Sequence, residues 1–161
     1  MELERSAAIG EQDFAIGPRP TGSFPTLESV GSEEFVVVLP RDDDALAESS
    51  VDLATIASRP WVLFGHEHGL SATIESIFAR HGLYVAGAVF TSQTDVAVNL
   101  AIAGLGPTIV PENVIPIGLE AYCRPMRDPF IRELFVYSLN PISSLAEGFL
   151  DHFRRVTATD R

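Results

Sequence analysis

Lysine is absent from this chain of 161 residues and cysteine occurs once, at Cys123. A lone thiol excludes a disulfide framework and any thiolate cluster for zinc or iron and sulfur, and a reducing compartment is the natural reading. All 11 basic residues are arginines, set against 22 acidic ones, for a net charge of -11. A surface this negative repels phosphate backbones and anionic lipid, so the chain by itself is a poor nucleic-acid or membrane binder. No stretch reaches the roughly 18 apolar residues a membrane span needs. The opening MELERSAAIG is too charged for a signal peptide. The expectation is a soluble, cytoplasmic protein with no membrane partner. No internal repeat is present.

What is there is enough apolar material for one domain or two small lobes, at 46% hydrophobic residues. Leu3, Ala7 and Ala8 stand at helical spacing before Gly10 and predict a helix over residues 2–9. Asp13 to Gly17 predicts a strand, and the prolines and glycine at 18, 20, 22 and 25 a loop. TLESVGSEEFVVVLP predicts two extended pieces around Gly31 and Ser32, the second buried on both faces. RDDDALAESS predicts a solvated turn at its three aspartates, and Asp52 to Ala57 a short helix.

Residues 61–110 are the most regular. Trp61 to Phe64 predicts a strand. Ser71 is placed to cap a helix with Ile74, Ile77 and Phe78 inward, stopped at Gly82. Tyr84 to Phe90 predicts the next strand. Thr94 or Asp95 then caps a helix burying Val96, Leu100 and Ala103, and Thr108 to Val110 predicts a third strand. Strand, helix, strand, helix, strand implies parallel neighbours, with the loops after Phe64 and Phe90 opening on one edge. Ligands of open α/β sheets bind at that edge, where helix N-termini present N–H groups to an anion, so a carboxylate is the first ligand to consider. Further on, Pro111 to Val114 predicts a helical turn. Leu119 to Arg124 and Glu133 to Leu139 predict strands separated by a turn at RPMRDPF. Ser144 and Glu147 predict a capping box, opening a helix with Leu145, Phe149, Leu150 and Phe153 inward.

Few residues suggest catalysis. His66, Glu67 and His68 resemble a metal site in composition only, because histidines at i and i+2 diverge on a strand and helical zinc sites use i and i+4. Gly104-Leu105-Gly106 follows a helix and precedes a strand, the reverse of a dinucleotide loop. No nucleophile has an evident base, and Cys123 reads as a buried inert thiol. No metal and no cofactor are expected. By contrast Thr91, Ser92, Gln93 and Thr94 supply four hydrogen-bonding side chains where capping uses one or two, and the surplus suggests a binding loop.

In order and spacing, DFAIGPRP, EEFVVVLP, VDLATIASRPWVLF, VNLAIAGLGPTIVP and RELFVYSL with LAEGFLDHFRR resemble the effector-binding domain of LysR-type transcriptional regulators, over nearly the whole chain. The resemblance implies an α/β fold like type 2 periplasmic binding proteins, with two lobes joined by two crossover strands. Residues 1–40 and 137–161 would form lobe one and 41–136 lobe two, with crossovers at Phe35 to Leu39 and Leu134 to Leu139. It also implies an effector cleft lined by Gly17, Pro18 and Arg19, by Phe64, Gly65 and His66, and by Thr91, Ser92, Gln93 and Thr94. No catalytic residue is implied. Arg19 would suit an organic acid, with Phe64 and Phe90 as apolar walls. Relative to the family pattern, the winged helix-turn-helix that contacts DNA is expected to be missing, as is the first strand, helix and strand of lobe one. The resulting open edge at Asp13 to Gly17 predicts pairing with another copy, or disorder before Asp13. The competing readings are a solute-binding module of the same fold and, with least support, a metal hydrolase using His66, Glu67 and His68.

Overall fold

A computed structural model describes residues 2–159. The chain forms two compact units, Met1–Glu33 with Arg132–Arg161 and Glu34–Ile131. Two long strands, β2 (Thr26–Val38) and β6 (Cys123–Ser138), run from one unit into the other.

In the first unit, α1 (Glu2–Ala8) is followed by β1 (Ala15–Gly17). β1 pairs antiparallel with the end of β6, Ala15 opposite Tyr137 and Gly17 opposite Phe135. Ala7 of α1 is buried in a cluster with Ala15, Phe24, Phe135 and Tyr137, while Ala8 is exposed. The side chain of Leu3, expected to face inward, lies outside those described. Glu4 ties α1 to the proline-rich loop, accepting from the Thr21 and Gly22 N–H groups at 2.9 and 2.8 Å and from the Thr21 hydroxyl at 2.8 Å. Those donors hold its carboxyl below the usual carboxylate range.

The last helix, α5 (Ser144–Thr159), starts where expected but with a different cap. Ser143, not Ser144, closes it, its Oγ accepting from the Ala146 N–H at 3.3 Å. The inward face is as expected at Leu150, which is buried, and at Phe153, which packs beside it, but Ala146 is buried in place of Leu145 and Phe149, which are 88% and 54% exposed. Two apolar stripes compete on this helix, and the one that meets Val30 and Val136 wins.

In the second unit, β3 (Trp61–Phe64) and β4 (Gly87–Thr91) pair in parallel, joined by α3 (Ser71–Arg80). α4 (Thr94–Leu100) follows, and then β5 (Thr108–Pro111). β5 does not extend the parallel pair. It lies antiparallel to β2, Val36 opposite Val110, and meets the β3 region through the Val62 N–H bond to the Pro107 carbonyl at 3.0 Å. Its run is buried at every position, so periodicity could not choose its neighbour. The first expected residues of β4, Tyr84 to Ala86, lie outside the strand, with Tyr84 97% exposed. α4 buries Ala97 and Val98, with Ala101 and Ile102 after it, in place of Val96, Leu100 and Ala103. Small alanines let the helix backbone approach β3 closely.

Two predicted interruptions disappear. β2 is continuous through Gly31 and Ser32, and β6 through RPMRDPF. Pro125 needs no N–H there: its carbonyl accepts from Val51 at 2.9 Å, and the Val51 carbonyl accepts from Arg127 at 2.8 Å. The short helix α2 (Leu53–Ile56) is capped by Asp52, whose carboxylate accepts from the Ala54 N–H at 2.9 Å. Of the three aspartates, Asp43 is not solvated. It caps the helical turn Asp44–Ala47 and pairs with Arg59, leaving its side chain 7% exposed. The core holds Trp61, Phe35, Ile56, Ile77 and Ile109, all 1% exposed or less. Gly106 is demanded by this packing, since a Cβ there would stand 1.9 Å from the Pro60 carbonyl oxygen. Among the described residues no helix is long and apolar enough to cross a membrane.

Candidate functional site

The expected site residues fall into one group in each unit. In the first unit Gly17 ends β1 and is buried, Pro18 is half-buried and Arg19 is exposed. The Arg19 guanidinium lies 5.0 Å from the centroid of the Phe135 ring. Gly17 is the ladder partner of Phe135, so the strand pairing that seats the glycine also seats the ring under the cation. Arg59, Arg80, Arg127, Arg132 and Arg154 are each paired with a carboxylate, whereas among the described residues none pairs with Arg19.

In the second unit the loops after β3 and β4 are joined, the Gly65 N–H donating to the Thr91 carbonyl at 3.3 Å. Phe64 is buried and Gly65 half-buried. His66 is 91% exposed, its Nδ1 3.6 Å from Glu75 Oε1. Thr91 makes a local turn, its Oγ1 accepting from the Gln93 N–H at 3.2 Å. Thr94 begins α4 and Gln93 holds the cap position without a side-chain cap bond. Among the described residues the side chains of Ser92, Gln93 and Thr94 make no hydrogen bond within the chain. Capping therefore consumes none of them.

The end of α3 departs from expectation. Ser71 does not cap it. Ser71 is its first residue, and its hydroxyl bonds Glu75 Oε1 at 3.2 Å. His68 satisfies the donors that were expected to face a ligand: its Nδ1 accepts from the Leu70 N–H at 3.2 Å and its carbonyl from the Ser71 N–H at 3.0 Å. The His68 ring stacks on Phe64 with centroids 4.4 Å apart, and burial lowers its pKa, which keeps the ring neutral and able to accept. The signal for this arrangement was the spacing of His68 two residues before Leu70, which reads as a side-chain cap once the ring is fixed. Among the described residues no three His, Cys, Asp or Glu side chains converge so as to hold a metal ion. Cys123 is half-buried, its thiol pushed up to about 11 chiefly by burial.

Two α/β units linked by two strands, with polar loops at strand ends, are the anatomy of a small-molecule-binding α/β domain. The family model for the LysR substrate binding domain matches residues 1–158, and the chain belongs to that family. Its fold is accordingly the type 2 periplasmic-binding-protein-like one, and it is an effector-binding, regulatory domain of the LysR class.

Solved structures agree in fold. The Synechocystis PCC6803 CcmR regulatory domain in complex with 2-PG matches with a TM-score of 0.82 at 16% identity, over 97% of this chain and 78% of that one. The QuiR effector-binding domain in complex with shikimate gives 0.78 at 22% identity, over 98% and 78%. The BenM effector-binding domain with its effector benzoate gives 0.77 at 18%, over 97% and 74%. No curated protein sequence matches the chain.

Proposed function

We propose that this chain senses a small organic acid for a cytoplasmic LysR-type transcriptional regulator and performs no catalysis. Residues 1–40 with 137–161 act as one lobe and 41–136 as the other, a division that the two compact units support with boundaries a few residues away. The effector is held by Gly17, Pro18 and Arg19 from the first lobe. Phe64, Gly65, His66, Thr91, Ser92, Gln93 and Thr94 hold it from the second. DNA is engaged through the winged helix-turn-helix that such regulators carry.

The observation that carries this reading is the family match over residues 1–158. The acid is favoured by Arg19, an exposed cation in a chain of net charge -11, held in place by Phe135 and with no carboxylate partner among the described residues. The uncommitted side chains of Ser92, Gln93 and Thr94 offer the hydrogen bonds that orient a ligand. The ligands named for the similar structures are 2-PG, shikimate and benzoate, which gives a starting panel. A homo-oligomer is supported by β1 ending the strand order and by the exposed Leu145 and Phe149.

The experiment is a thermal-shift and calorimetric screen of aromatic and aliphatic carboxylates. A ligand at 100 times its Kd adds about 2.7 kcal/mol to stability. Arg19→Ala is expected to weaken the bound acid about fivefold, the upper end for an exposed charged contact. If carboxylates leave the melting point unchanged while neutral or cationic compounds raise it, the acid reading fails.

A further inference from the structure

We propose that one face of the second unit, built by the strap of residues 112–122 and the turn at 44–48, docks a short cationic segment of another protein that carries an aliphatic anchor. The strap leads from β5 into β6 as a series of tight turns. The Ile115 N–H donates to the Glu112 carbonyl at 3.1 Å, the Leu119 N–H to the Pro116 carbonyl at 3.0 Å and the Tyr122 N–H to the Leu119 carbonyl at 3.1 Å. Ile115, Leu119, Tyr122 and Cys123 pack against the core of the unit and fix the strap's inner side. Val114 and Ile117 are left outside, 38% and 98% exposed. Gly118 sets the bend beside Ile117: its φ of 91° suits glycine, and its N–H donates to Glu120 Oε2 at 2.8 Å. An aliphatic side chain held out on a fixed turn binds without the ordering cost of a loose loop.

The charge of the face selects the partner. Arg124 ties the turn to the strap, its Nε donating to the Glu48 carbonyl at 2.8 Å and its Nη1 to the Ala121 carbonyl at 3.1 Å. Asp44, Glu48, Glu112 and Glu120 are exposed on the two segments so joined and outnumber that guanidinium, while Arg41 and Asp42, next along the chain, offset one another. The field of the strap converges: burial first, then Glu120 and Glu112, raise the Cys123 thiol against the opposing pull of Arg124. Nucleic acid and anionic lipid are repelled by such a face, whereas lysine or arginine beside an apolar anchor is attracted. A second copy brings no such segment, because the chain has no lysine and Arg59, Arg80, Arg127, Arg132 and Arg154 are paired with its own carboxylates. None of the residues of this face belongs to the organic-acid site.

The test is titration of the full chain with a blocked hexapeptide, two leucines flanked on each side by a lysine and an arginine, followed by chemical-shift changes. Saturable shifts are expected at Val114, Ile117 and Ala121, and added salt should weaken them. The same peptide with serines for leucines should bind about tenfold more weakly, the scale of one aliphatic side chain taken out of water. Ile117→Ser, an exposed change that leaves the melting point where it was, should have the same effect. Glu48→Gln with Glu112→Gln should cost about fivefold. Glu11→Gln with Glu133→Gln removes equal charge from the first unit and should leave binding unchanged. The proposal is overturned if the shifts spread over the acidic surface at large, if the serine peptide binds as well as the leucine one, if Ile117→Ser changes nothing, or if the two glutamine pairs weaken binding equally. It is also overturned if Ile117→Ser dissociates an oligomer, because the face is then an interface between copies.

Discussion

Arg132 Nε of β6 donates to Glu33 Oε1 of β2 at 2.6 Å, with the two side chains only 17% and 8% exposed. The pair sits where both strands leave the first unit. Removing Glu33 takes the carboxylate from a largely buried guanidinium, which costs about 3 kcal/mol. Glu33→Ala is therefore expected to lower stability by about that amount in urea unfolding. Glu33→Leu with Arg132→Met is expected to recover most of the loss, because the desolvation cost of both charges disappears together.

Gly106 offers a sharper test of packing. Its φ of 132° is hostile to other residues, and its Cβ position collides with the Pro60 carbonyl. Gly106→Ala is expected to cost more than about 4 kcal/mol, the tail of single-substitution effects. Circular dichroism melting would show it as an unfolded or strongly destabilised chain, and an unchanged melting point would refute the contact.

His68 links stability to pH. Its pKa is lowered in the folded chain, so below about 6.5 the unfolded chain binds the proton first. The stability contributed by the neutral ring is present above that pH and is lost as pH falls toward the folded value. His68→Gln, which cannot titrate, should flatten the pH dependence of unfolding below 6.5 relative to the parent.

The thiol of Cys123, raised to about 11, is almost wholly protonated at pH 8. Alkylation by iodoacetamide is expected to be at least tenfold slower in the native chain than after denaturation. Equal rates in the two states would contradict its burial.

Legibility in the sequence varied with the range of the interaction responsible. The helices at 71–80 and 94–100 and the strand at 61–64 were readable because spacing, glycine stops and apolar runs are local signals. The inward face of α4 and part of that of α5 were not, since each carries two plausible apolar stripes and the neighbour decides between them. The candidate site divides the same way. Thr91 to Thr94 stood out as a surplus of hydroxyl and amide groups, whereas the role of His68 depends on a ring stacked upon Phe64.

By itself the sequence determined the family, the alternation of strands and helices and the acidic surface, because each follows from composition or from residues close along the chain. Only the tertiary structure decided that RPMRDPF is extended, that β5 joins β2, and that Arg19 rests on Phe135. Those outcomes depend on hydrogen bonds and contacts between residues far apart in sequence, such as Val51 with Pro125 and Arg19 with Phe135, and no local pattern encodes which distant partner a backbone group or a cation will find.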